Sequence, residues 1–342
     1  MGFDRVLDAT LSFPMVQRQQ NEALSSWLAR IAKEHLLDLE HVEAEIGCPL
    51  SLVDHDPSGG IVDRIARRTG TDAELVRAGV HPIAPLFPPR RGELDWRVCP
   101  QCLRGDRDVG RPPYVRVVWI HPLVTICLEH MVPLVIPSAE EWSELAGDGA
   151  RPSRQDVLLN QIDAEPLDAF IRAARLVLTE IGNAEDVRQL EREVADIAEA
   201  LAVQMTRSMG QGAVLSLFEQ PRRGRHVRAF ALDLQHGLLS HMTPADRLLF
   251  VRAALALRWP TEGFVQERAV LGDWYSVVVR ISVPSSRRRM VGDHGLDPLS
   301  LLALALPANA FHQLRQRSTA WSPDLRRRWA VAEQLAGLAG LT

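Results

Sequence analysis

Three cysteines and one histidine stand in a spacing that suits a metal. Cys99 and Cys102 form a C-P-Q-C pair, and 24 residues later Cys127 and His130 form a C-L-E-H pair. Two residues between paired ligands let both side chains of a tight knuckle reach one ion, and the intervening stretch is long enough for a hairpin that brings two knuckles together. Three thiolates and an imidazole suit tetrahedral Zn2+, with bonds of about 2.3 Å to sulfur and 2.0–2.1 Å to nitrogen. Four protein ligands fill that sphere and leave no position for an activated water, so the expected zinc is structural. Two alternatives stand beside it: three buried cysteines next to a surface histidine, and a C-x-x-C redox pair, which the downstream ligand pair disfavours. His121 lies close enough in sequence to compete as a ligand, but its apolar neighbours read as a strand end. Cys48 reads as a small buried hydrophobe.

Other catalytic signatures are missing from the sequence. There is no phosphate-cradling G-x-x-x-x-G-K-[ST] loop, no G-x-S-x-G elbow, no H-E-x-x-H and no dinucleotide fingerprint. Acidic residues are scattered singly, without a set for two-metal phosphoryl transfer.

These ligands must be positioned by a mainly helical chain. Asn21–Ile46 reads as one helix capped by Asn21, with Leu24, Trp27, Leu28, Ile31 and Ala32 on one face. Arg30 is expected to point away from that face. IVDRIARRTGTDAELVRAGV (61–80) reads as two short helices around a Gly70 turn, a helix-turn-helix unit. Thr71 with Glu74 suggests a capping box for the second helix. Ile61, Ile65 and Ala66 should pack on Leu75, Val76 and Val80. The unit carries Arg64, Arg67 and Arg68 on its first helix and Arg77 on its second, but Asp72 and Glu74 make the second a poor reader of base edges.

A proline-rich connector (81–96) follows, then two β-rich stretches in the cysteine module, YVRVVWI (114–120) and VPLVIP (132–137). Beyond residue 152 the pattern is helical: 164–181, 185–209 with Val187, Leu190, Val194, Ile197, Leu201 and Met205 on one face, a helix capped by Thr243-Pro244, and a last helix capped by Ser322-Pro323. LLALALPANAF (301–311) reads as a buried helix end, and WYSVVVRISV (274–283) as a strand. The expected layout is an N-terminal helical domain with the helix-turn-helix (1–90), a zinc-ribbon-like module (91–150) and a C-terminal helical domain (151–342).

Composition bounds the partners. The 342 residues carry 39 Lys and Arg against 43 Asp and Glu, a net charge of −4. A uniformly basic nucleic-acid binder is excluded, although a local basic face is not. Lys33 is the only lysine. Basic runs at 221–228, 285–290 and in DLRRRW (324–329) read mostly as solvated charge. No signal-peptide pattern opens the sequence and no stretch is long enough to span a membrane, which points to a reducing cytoplasm.

Taken together, NEALSSWLARIA, the IARRTG helix-turn-helix, WRVCPQCLRGD and YVRVVWIHPLVTICLEHMVPLV resemble the TniQ/TnsD family of transposon target-selection proteins. The resemblance covers roughly residues 10–137. The matching positions are Glu22, Ser26, Trp27, Arg30, Cys99, Pro100, Cys102, Leu103, Trp119, Cys127 and His130. It implies a non-enzymatic adaptor that marks a target and hands it to an AAA+ ATPase regulator, which recruits the transposase. Some members read target DNA directly, and others dock on an RNA-guided CRISPR effector complex, with a homodimer as one open arrangement. In such an adaptor Arg30, Arg64, Arg67, Arg68 and Arg77 are the expected contacts to partner or nucleic acid. No cysteine follows Cys127, so a second zinc module of the larger members is absent. The alternative is a stand-alone helix-turn-helix transcriptional regulator with a structural zinc.

Overall fold

The computed structural model describes residues 16–55, 58–81, 94, 96–137, 167–179, 184–209, 239, 242–260 and 297–340. Twelve helices and one two-stranded antiparallel sheet occupy the described residues, so the chain is mainly helical. It divides into two units, Met1–His121 with Leu134–Ala150, and Pro122–Pro133 with Arg151–Thr342.

The first unit is built on α1 (Leu24–Glu34), whose Leu24, Trp27, Leu28, Ile31 and Ala32 are all buried, as the spacing predicts. Trp27 also donates its indole N–H to the Val16 carbonyl at 2.7 Å. Two sequence expectations fail here. Asn21 does not cap the helix: it sits at φ 60°, outside it, and the residue at the N-cap position is Ala23. The orphan helix N–H groups are met from elsewhere in the unit, Leu24 N–H by the Gly79 carbonyl (2.9 Å) and Ser25 N–H by Asp54 Oδ1 (2.8 Å).

Nor does the helix run on to Ile46. It ends in a Schellman turn, in which Leu37 N–H reaches Ala32 O (2.8 Å) and Leu36 N–H reaches Lys33 O (3.2 Å) with Leu36 left-handed at φ 54°. A second helix, α2 (Leu39–Ile46), follows, and it buries Val42 and Ile46. No glycine or proline marks this corner, which is why helical periodicity alone carried through it.

After the short α3 (Leu50–Val53) come α4 (Gly59–Thr69) and α5 (Ala73–Arg77), the expected helix pair around a left-handed Gly70 at φ 65°. The inner residues are Val62, Ile65, Thr69 and Val76, while Ile61 and Ala66 are only half-buried and Leu75 is exposed. The cap of α5 is Asp72, whose Oδ1 accepts from Glu74 N–H at 2.7 Å, and not Thr71. Gly47 is left-handed at φ 68°, where any side chain would be strained, and a Cβ there would also displace the Arg64 guanidinium, 2.1 Å away. The next helix, α6 (Pro100–Asp108), starts at the first cysteine pair.

The YVRVVWI stretch is not a strand. It contributes one bridge, Arg116 to Glu22, and a 3-10 turn at Val117–Trp119. Its alternation reflects burial of Tyr114, Val115, Trp119 and Ile120 rather than a ladder.

The second unit contains β1 (Ile126–Cys127) paired with β2 (Val132–Pro133), Ile126 opposite Pro133 and Cys127 opposite Val132. Its helices are α7 (Leu167–Thr179), α8 (Ala184–Met209), α9 (Pro244–Arg258), α10 (Pro298–Ala305), α11 (Ala308–Ser318) and α12 (Pro323–Leu338). On α8, Val187, Leu190, Val194, Ile197 and Leu201 are buried as expected, and the Met205 side chain lies outside the described set.

Helix α9 is buried around most of its circumference, Arg247 and Arg258 included, as befits a central helix. Thr243 caps it, its Oγ1 accepting from Asp246 N–H at 3.2 Å. At its other end Arg258, 7% exposed, pairs with Glu193 (2.7 Å) and Asp324 (2.8 Å). Asp324 is held down at about 2, against the effect of burial, by its hydrogen bonds from Arg258 and Ser322. Arg328 donates to the Leu257 and Arg258 carbonyls while pairing with Asp297, so one arginine of the DLRRRW run works inside the fold. Ser322 occupies the N-cap position of α12 but makes no capping hydrogen bond. LLALALPANAF spans the end of α10 and the start of α11, with Leu302 to Leu306 buried. The predicted strand at 274–283 and the basic runs at 221–228 and 285–290 fall outside the described residues.

Candidate metal centre and the arginine positions

Cys99 lies at the N-cap of α6 with Pro100 at the first helical position. That geometry turns the chain sharply after Cys99, and its Sγ accepts from Cys102 N–H at 3.5 Å. The strand-like approach is fixed on both sides: Val98 and Val135 exchange N–H···O bonds of 2.8 and 2.9 Å, and buried Arg97 donates to the Ile120 (2.7 Å) and His121 (3.0 Å) carbonyls. In the other pair, Met131 at φ 55° closes a turn through its N–H to Cys127 O (2.8 Å), which sets Cys127 Sγ 3.7 Å from His130 Nδ1.

The ligand atoms of Cys99, Cys102, Cys127 and His130 all lie within 4.8 Å of one another, with the three cysteines buried. Around tetrahedral zinc, bonds of about 2.3 and 2.0–2.1 Å put sulfur and nitrogen about 3.5–3.6 Å apart, close to the spacing of the second pair. The free cysteines are not paired as disulfides. The cluster could hold a metal ion, and its three soft thiols with one imidazole fit the donor set of zinc. Cys48 is buried outside this cluster and donates weakly to the Pro49 carbonyl at 3.5 Å.

His121 is not a strand end. It is 1% exposed, follows the 3-10 turn and packs against His81 with ring centroids 4.9 Å apart. Burial first, and then the neighbouring His81, Arg97 and His55, hold it well below the ordinary histidine range, so it is neutral.

The five arginines singled out from sequence have different surroundings. Arg30 does not point into solvent. It forks onto Glu22 through Nε and NH2, both at 2.7 Å, and reaches the Gln17 carbonyl at 2.9 Å. Arg64 donates to the Ile46 carbonyl (2.9 Å), Arg68 pairs with Glu45 (2.9 Å), and Arg77 pairs with Glu74 on its own helix. Arg67 is exposed and has no such partner among the described residues.

Two buried acids beside the start of α1 hold positions that the sequence reading gave no structural role. Glu22 is fully buried and gathers Gln19 N–H, Ser26 Oγ and both Arg30 donors. Asp54 is 4% exposed and holds Ser25 through its backbone N–H and its hydroxyl, while Trp96 Nε1 donates to the same hydroxyl at 2.9 Å. Burial pushes the Asp54 carboxyl up to about 7, against the opposing hydrogen bonds from Ser25. A signal for Glu22 existed, because E-A-L-S-S-W-L-A-R places it, Ser26 and Arg30 four residues apart on one side of a helix. Asp54 carried none, since its partner is 29 residues away.

Among the described residues no helix is long and apolar enough to cross a membrane. No curated protein and no solved structure matches the chain. The TniQ family model matches residues 13–134, a span that holds α1 to α6, the buried Glu22–Arg30 pair and all four metal-competent side chains.

Proposed function

We propose that this protein is a non-enzymatic target-selection adaptor for DNA transposition, linking target DNA or an RNA-guided target complex to an AAA+ ATPase regulator and, through it, to the transposase. The observation that carries the reading is the TniQ domain at residues 13–134, which implies a role in transposition target selection. The Cys99, Cys102, Cys127 and His130 cluster supports a structural Zn2+ in that domain, where it would hold the two ligand-bearing turns and perform no chemistry on a substrate. The protein works in the cytoplasm on this reading, where thiols stay reduced and able to bind metal.

Arg67 leads the contact surface of the helix pair, because Arg64, Arg68 and Arg77 each have an internal engagement to give up first. The regulator alternative is weaker. Helix α5 spends Asp72 on its own cap and Glu74 on Arg77, which leaves little to present to base edges.

The test is co-purification of the full chain with an AAA+ ATPase regulator of transposition, with and without DNA. Stable recovery of the ATPase supports the adaptor. Failure of that recovery, with tight binding to one defined duplex, would favour the regulator instead.

A further inference from the structure

The corner between α1 and α2 holds a leucine where leucine is badly suited. Leu36 is the left-handed residue of the Schellman turn at φ 54°, and its side chain is 95% exposed. Either fact alone is unremarked in many proteins; together they oppose local stability twice. A Cβ in the left-handed region is strained, which is why glycine or asparagine fills this position in most such turns. An exposed isobutyl group returns no burial to offset the strain. Among the described residues the other two positive-φ residues that are not glycine differ: Asn21 is of a type that tolerates the conformation, and Met131 closes the turn carrying Cys127 and His130. A strained residue kept without local benefit directs attention to function.

The surroundings of Leu36 define what it could meet. Leu39, three residues on, is also exposed. Glu34, Asp38 and Glu40 are exposed around them and form no ion pair among the described residues, while Lys33 is the one cation between residues 33 and 40. The corner is therefore an exposed apolar knob flanked in the chain by three exposed carboxylates. Phosphate-rich nucleic acid and anionic lipid would be repelled by those carboxylates. A protein surface with an apolar pocket rimmed by lysine or arginine would match it in both charge and polarity.

We propose that the Leu36 corner is a docking knob of this protein, with Leu36 inserted in an apolar pocket of a basic-rimmed protein partner. Given the adaptor reading on which this rests, that partner is the AAA+ ATPase.

The substitution Leu36→Asn separates binding from folding, because asparagine relaxes the turn. The full chain carrying Leu36→Asn should melt at the wild-type temperature or higher, yet bind the purified ATPase at least tenfold more weakly. Glu34→Lys is the second variant. It places a cation in the last turn of α1, where the helix dipole favours it, so it should fold well, weaken binding about threefold or more and reduce its salt dependence. It decides the matter if Leu36→Asn melts early.

Wild-type affinity in both variants would overturn this surface while leaving the adaptor reading intact. No binding by the wild-type chain would remove the adaptor reading and this assignment together. A wild-type dimer that Leu36→Asn converts to monomer, with ATPase affinity unchanged, would reassign the knob to a second copy of the chain.

Discussion

Replacing Arg30 by alanine should destabilise the N-terminal unit by about 3–5 kcal/mol, the range for removing one partner of a buried ion pair. Glu22 is fully buried, and the Arg30 side chain is only 16% exposed, so solvent cannot replace the lost guanidinium. Of the four donors converging on the Glu22 carboxylate, Arg30 supplies two, at 2.7 Å each, and the only charged ones. What remains is the Gln19 N–H at 2.9 Å and the Ser26 hydroxyl at 3.2 Å. The loss is a large share of the ~5–15 kcal/mol that holds a typical domain together. Urea unfolding followed by tryptophan fluorescence measures it as a lower midpoint at unchanged slope. Arg30→Lys keeps the charge without the fork and should fall between wild type and Arg30→Ala. In the cycle with Glu22→Gln, the double variant should lose less than the sum of the singles by more than about 1 kcal/mol, as contacting pairs do. A cost under about 1 kcal/mol for Arg30→Ala, with no coupling to Glu22, would refute this account.

Two further outcomes follow from the same geometry. Purified protein should contain about one zinc per chain, and Cys102→Ser should lower that content sharply; wild-type protein that folds without metal and melts unchanged on chelation would dismiss the cluster as a metal centre. The Asp54 carboxyl binds its proton more tightly folded (about 7) than unfolded (3.8), so its contribution is complete below about pH 4 and is lost as pH rises toward 7, a swing of about 4 kcal/mol. Asp54→Asn keeps the protonated arrangement toward Ser25, so the difference in stability between variant and wild type should grow across pH 4–7, and parallel profiles would contradict it.

What the sequence made legible depended on how far apart the interacting residues stand. The Cys99–Cys102 and Cys127–His130 pairs, which could hold a metal ion, were readable because each is local and chemically distinctive, and so was the apolar face of α1. The same locality failed at the α1–α2 corner, where the break is made by backbone hydrogen bonds around Leu36 and the residues themselves are good helix formers. Caps went wrong for a related reason. Asn21 is a good capping residue beside a helix, but the N-terminus of α1 is already met by Asp54 and Gly79, so the capping role was filled from a distance. Tertiary partners overrode local preference in each case.

Arg30 shows what this means for function. Its charge and its position opposite the apolar face make it look like a contact residue, and it is one of the positions, with Glu22, Ser26 and Trp27, on which the family resemblance rests. The structure gives that pattern a physical content of another kind. Glu22, Ser26 and Arg30 form one hydrogen-bonded set, and the Ser26 hydroxyl also accepts Val115 N–H at 3.0 Å. Glu22 further shares a bridge with Arg116, and the Ala23 N–H meets the Val115 carbonyl at 2.8 Å. The polar motif thus fastens the start of α1 to the chain segment that follows α6. Those motif residues hold the domain together, and the partner surface proposed above therefore rests on side chains with no internal engagement, Arg67 on α4 and the Leu36 corner.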